Sequence, residues 1–139
     1  MSSLAGTTVV LGGIGDDIHV VALKILERML SDAGADVRML GVMTPAEEFV
    51  EAAADADAIW ISSSNGHAEM WCEPLRSGLE AAGRGGVLMY IGGNLAVGER
   101  DWDTVERRFR ELGFTRVYAP GTDPAAAIAD LAADVERRG

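Results

Sequence analysis

Cysteine is all but absent from this sequence. A single residue, Cys72, occurs in 139, so no internal disulfide can form and no thiolate cluster is at hand for zinc or iron-sulfur ligation. With no partner base in view, the expectation is an unreactive, half-buried thiol. Basic residues are scarce as well: 12 Lys and Arg face 22 Asp and Glu, for a formal net charge of -10. Such a surface repels phosphates, which excludes nucleic acid and favours a small ligand or a protein partner. No apolar run approaches the ~20 residues that span a bilayer. The amino terminus also lacks a basic start joined to an apolar stretch and a small-residue cleavage site. The expectation is a cytoplasmic protein without membrane contact. Neither a repeat, a low-complexity tract nor a linker interrupts the chain, so residues 1–139 are expected to form one domain.

What is present is a regular alternation. Five apolar, β-branched runs, Thr7 to Gly13, Asp36 to Gly41, Ala58 to Ser63, Gly86 to Ile91 and Arg116 to Ala119, are separated by helical patterns. That is the signature of a parallel sheet covered on both faces. In the first helical segment Val21, Ala22, Ile25, Leu26, Met29, Leu30 and Ala33 recur at helical spacing, with Lys24, Glu27, Arg28 and Asp32 opposite and Gly34 as the stop. A second helix is predicted after Thr44-Pro45, capped by the hydroxyl and ending near Ala54. A third is predicted over Glu73 to Ala82, a fourth over Thr104 to Leu112, and a last one from Asp123-Pro124 into Glu136-Arg137-Arg138. The predicted architecture is α/β: a doubly wound, five-stranded parallel sheet of the flavodoxin-like or Rossmann-like kind. Ligands on such sheets bind outside the carboxyl ends of the strands, at the switch in winding.

The segment after the first strand, Gly12-Gly13-Ile14-Gly15-Asp16-Asp17-Ile18-His19, is glycine-rich. It contains neither G-x-G-x-x-G nor a lysine followed by Ser or Thr, and its two aspartates would repel an anion, so a nucleotide-phosphate loop is excluded. A carboxylate two residues before an imidazole remains. The spacing leaves two readings: Asp17 orients a metal-ligating His19, or Asp17 caps the helix and His19 is a solvated first-turn residue.

Beyond that loop, the chain carries Val10-Leu11-Gly12, Lys24-Ile25-Leu26, Gly41-Val42, Ser62-Ser63 and Tyr90-Ile91-Gly92-Gly93-Asn94. It continues with Val97-Gly98, Arg116-Val117-Tyr118-Ala119-Pro120-Gly121-Thr122 and Ile128-Ala129-Asp130-Leu131. With these stretches the sequence resembles, end to end, the cobalamin-binding small subunits of glutamate mutase (methylaspartate mutase), and more broadly the cobalamin-binding domains marked by D-x-H-x-x-G. The resemblance implies adenosylcobalamin as cofactor, with its nucleotide tail drawn away from cobalt and His19 as the axial cobalt ligand, supported by Asp17. Asp16, Ile18 and Val20 complete that loop. Ser62, Ser63 and Ser64, then Gly92, Gly93, Asn94, Leu95, Ala96, Val97 and Gly98, are implied to line the tail, with Tyr118 and Pro120 against its base.

Two positions depart from the pattern. The final glycine of D-x-H-x-x-G is Ala22, and the leucine of the S-x-L that follows the third strand is Ser64. Asn65-Gly66-His67, Trp60 and Trp71 also differ or add bulk nearby. By resemblance, the reaction is the isomerisation of glutamate to 3-methylaspartate, performed with a separate, larger barrel-type subunit that holds the substrate. The alternatives are a stand-alone corrinoid carrier or methyl-transfer module, a mutase subunit for another amino acid, and a flavodoxin-like domain without cofactor.

Overall fold

The apolar runs assemble into one parallel sheet, described by a computed structural model over residues 4–15, 20–63, 68–93, 101–119 and 121–138. Its strands are β1 (Thr8–Ile14), β2 (Asp36–Thr44), β3 (Ala58–Ser63), β4 (Leu88–Gly93) and β5 (Arg116–Tyr118). They lie in the order β2-β1-β3-β4-β5, and every neighbouring pair is parallel. Among the described residues the helices are α1 (Val21–Asp32), α2 (Ala46–Ala52), α3 (Ala68–Cys72), α4 (Leu75–Ala81), α5 (Trp102–Glu111) and α6 (Pro124–Arg138). This is the doubly wound, flavodoxin-like order, in which the winding reverses between β1 and β3.

The period of two along each strand divides the core. Val10, Ile14, Ile59, Ile61, Met89 and Ile91 turn to one face and pack with Phe49, Leu75, Leu79, Val105 and Phe109. Val9, Leu11, Trp60 and Tyr90 turn to the other and pack with Leu23 and Leu30 of α1 and with Ile128 and Leu131 of α6. Every residue of β3 is buried, which is why that strand reads as a continuous apolar run. Each such aliphatic side chain contributes roughly 1.5 to 3 kcal/mol on burial.

Several boundaries differ from the sequence expectations. β2 continues past Gly41 to Thr44, because Gly41 serves as a bulge within the strand. The pairing slips there, from Leu11 with Met39 to Gly12 with Gly41 and then to Ile14 with Thr44, and Gly41 and Met43 have positive φ values of 88 and 55. β4, expected over Gly86 to Ile91, starts at Leu88 and continues through Gly92 and Gly93. The helix expected over Glu73 to Ala82 is α4, Leu75–Ala81, with Pro74 at its cap position rather than in its first turn, and the short α3 precedes it where no helix is expected. Thr44 does not cap α2; its hydroxyl donates to the Gly41 carbonyl at 3.1 Å, and Pro45 occupies the cap position. α5 begins at Trp102, before Thr104, because the Asp101 carboxylate accepts from the Asp103 N–H and the Thr104 hydroxyl. In α1 the buried residues are Leu23 and Leu30. Val21 and Ile25, expected on the core face, are 70% and 50% exposed.

Candidate functional site

A cavity of about 210 Å³ opens at the carboxyl edge of the sheet, on the face covered by α1 and α6. Ala22, Ile25 and Leu26 of α1 form one wall, and Ala119, Gly121, Thr122, Pro124 and Ala127 form the other. Its base is laid down by the strands in two rows. The outer row pairs Ser62 with Gly92 and Gly92 with Tyr118; the inner row pairs Trp60 with Tyr90. Ser62, Gly92, Tyr118 and Trp60 line the cavity, whereas Tyr90 is fully buried beneath.

Small residues keep this cavity open. A Cβ on Gly92 would stand 3.3 Å from the Tyr118 Cβ. Gly93 is held more strictly: its φ is +112 and a Cβ there would lie 1.9 Å from the Ser63 carbonyl oxygen, so no other residue fits this backbone path. The aromatic side is continuous. The Trp60 and Tyr118 rings are nearly parallel, with centroids 6.2 Å apart and 14° between planes, and Trp60 packs on Tyr90 at 5.1 Å.

Polar groups under α6 fix those rings. The Tyr118 hydroxyl donates to Asp130 at 2.8 Å, and the Tyr90 hydroxyl donates to Asp134. Arg116 donates to both carboxylate oxygens of Asp134, at 2.8 and 3.0 Å, and Arg137 adds a bond at 3.1 Å. The Arg116 bonds hold the Asp134 carboxyl below the ordinary carboxylate range, against the opposing effect of burial, and the Tyr90 bond adds to the lowering. Burial pushes both phenols up, and the bonds to the two aspartates push them further. The sequence reading missed this network. Its signal was available: Ala127, Asp130, Leu131 and Asp134 follow the i, i+3, i+4, i+7 spacing of one helix face. Two aspartates within a core stripe require buried partners.

Of the residues singled out from sequence, Ser62, Gly92, Gly93 and Tyr118 meet in the cavity wall. Ala22, the departure from the D-x-H-x-x-G pattern, lines the same wall. Val20, just ahead of α1, is 48% exposed. Ser63 does not line the cavity; it points to the opposite face with Ile59 and Ile61, and its buried hydroxyl has no partner among the described residues. Asp16, Asp17, Ile18, His19, Ser64, His67, Asn94, Leu95, Ala96, Val97, Gly98 and Pro120 lie outside the described residues. Cys72 is fully buried rather than half-buried, and burial pushes its thiol up, away from the reactive thiolate.

A family model described as the B12 binding domain matches residues 7–129. The glutamate mutase sigma subunit of Clostridium tetani is 48% identical over 130 residues, which cover 92% of this chain and 95% of that protein. Glutamate mutase sigma subunit 1 of Haloarcula marismortui is 50% identical over 131 residues, covering 93% and 86% respectively. The chain belongs to the glutamate mutase sigma subunit family. Among solved structures, a methanol:cobalamin methyltransferase complex from Methanosarcina barkeri aligns with a TM-score of 0.72 at 21% identity. That alignment covers 95% of this chain and 47% of the solved one, and the likeness is one of fold.

The residues present suit the group that the sigma subunit family implies. A flat nucleotide base fits a cavity with two aromatic faces, bare glycine backbone and aliphatic helix walls. The large apolar side chains that stand exposed among the described residues, Val20, Val21, Ile25, Met43 and Met70, belong to segments at this same edge. No helix of the described residues is long and apolar enough to cross a membrane.

Proposed function

We infer that this chain is the cobalamin-binding small subunit of a glutamate mutase, an isomerase, and that its cofactor is adenosylcobalamin. The cavity between α1 and α6, beside the switch in winding, carries this reading. His19 would hold the cobalt, with Asp17 accepting a bond from the second ring nitrogen to fix its orientation. Asp16, Ile18 and Val20 would shape the rest of that loop, while Ser62, Ser64, Gly92 to Gly98, Tyr118 and Pro120 would receive the nucleotide tail. The bound cofactor supplies radical chemistry through its weak cobalt-carbon bond.

What the chain itself does is bind and orient. Tyr118 is held by Asp130 with its ring against the cavity, and the walls of α1 and α6 keep water from the base. Glutamate would bind on a separate, barrel-type large subunit. The exposed apolar rim of Val20, Val21, Ile25, Met43 and Met70 suits burial against that partner. A cytoplasmic location accords with this role.

Reconstitution tests the reading. The purified chain, adenosylcobalamin and a large mutase subunit together should convert glutamate to 3-methylaspartate, and omission of any one should abolish turnover. Retention of cobalamin without isomerisation would favour a corrinoid carrier, and failure to retain it would overturn the reading altogether.

A further inference from the structure

The inner end of the cavity is closed by one large side chain. Trp60 stands one pleat further from the sheet edge than Ser62, on the same face of the central strand β3, and is only 3% exposed. It is wedged between Tyr90, at 5.1 Å, and the near-parallel ring of Tyr118. Neither neighbour can yield cheaply, because their hydroxyls are tied to Asp134 and Asp130 on α6. The outer row carries small residues at two of its three positions, Ser62 and Gly92, beside Tyr118. A flat base entering from the carboxyl edge therefore slides past small residues and meets an immobile indole.

We propose that Trp60 determines which nucleotide base this subunit accepts, by limiting the depth of the cavity to a two-ring base. This rests on the cobalamin reading above and adds selectivity to it. Interiors are close-packed, so a third fused ring has no space unless the aromatic row shifts. Replacing the indole with a smaller apolar side chain would leave an apolar hole at the inner end, which an additional ring can fill.

The test uses the full chain and two cobamides that differ only in the base: dimethylbenzimidazole, with two rings, and naphthimidazole, with three. The wild-type chain should bind the two-ring cobamide about tenfold tighter or more, the effect expected of overpacking. In Trp60→Leu that ratio should collapse or invert, through a gain for the larger base, and the naphthimidazole cobamide should raise the melting temperature of this variant more than the smaller one does. Trp60→Phe, which keeps a ring in the core, should move the ratio in the same direction by less; it carries the test if Trp60→Leu does not fold. Equal binding of both cobamides by the wild-type chain, or an unchanged ratio in the variants, overturns the proposal. A wild-type chain that retains neither cobamide overturns the cobalamin reading and the selectivity together, a result distinct from equal retention.

Discussion

The two faces of the sheet are built from the same strands yet differ in kind. Toward α2, α3, α4 and α5 the strands present Val10, Ile59, Ile61, Met89 and Ile91, and the face is packed shut with aliphatic and phenylalanine side chains. Toward α1 and α6 they present Trp60, Tyr90 and Tyr118, with both tyrosine hydroxyls reaching carboxylates, beside an open cavity. One face obtains its stability from apolar contact. The other exchanges some of that contact for rings held in fixed positions, which is what a site for a flat ligand requires. The contrast arises within single strands: in β3, Ile59 and Ile61 serve the closed face and Trp60 and Ser62 the open one.

The sharpest way to break this comparison is to cut into the closed face. Ile61→Ala should destabilise the fold by about 3 kcal/mol, through lost burial and the cavity left behind. Chemical denaturation would measure it, while cobalamin affinity of the folded fraction should stay unchanged. Next comes the polar support of the open face. Asp134→Asn takes the carboxylate from Arg116 and Tyr90 and should cost about 2 kcal/mol at neutral pH. Because the folded-state carboxyl is depressed, its contribution is complete above the ordinary value near 4 and fades as pH falls below it. The stability gap between wild type and variant should therefore narrow in acid, as read from denaturation midpoints.

Tyr118→Phe should have a smaller effect, about 1 kcal/mol for the bond to Asp130. Here the sign reverses. The phenol is raised in the fold, so its contribution is complete below pH of about 10 and fades as pH rises further. The variant should lose less stability in alkali than wild type does. The mildest change is Ala22→Gly on the cavity wall, which should leave cobalamin affinity equal or improved, within about threefold or 0.6 kcal/mol; a large loss would show that the methyl group takes part in binding.

Much of this was legible in the sequence. Strand β3 falls on Ala58 to Ser63 as its apolar run predicts, and the winding order follows from the βα alternation. The resemblance brought Ser62, Gly92 and Tyr118 to one wall. What escaped were features set by three-dimensional packing. Gly41 reads as a strand end, but paired backbone on β1 carries the chain through it as a bulge. Val21 and Ile25 fit a core stripe, but α1 is rotated so that Leu23 and Leu30 meet the sheet. Trp60 reads as added bulk, and only the pairing with Tyr90 and the ring contact with Tyr118 reveal it as the inner wall of the cavity. Asp130 and Asp134 have no role in the sequence reading; Arg116 and the two tyrosines beneath them supply it.

The cobalt ligand offers the most direct test. The absorbance spectrum of cobalamin bound to the wild-type chain should show the nucleotide base displaced from the metal and an imidazole in its place, and His19→Ala should lose that signature while its far-ultraviolet dichroism stays native. Identical spectra for the two proteins would contradict the account.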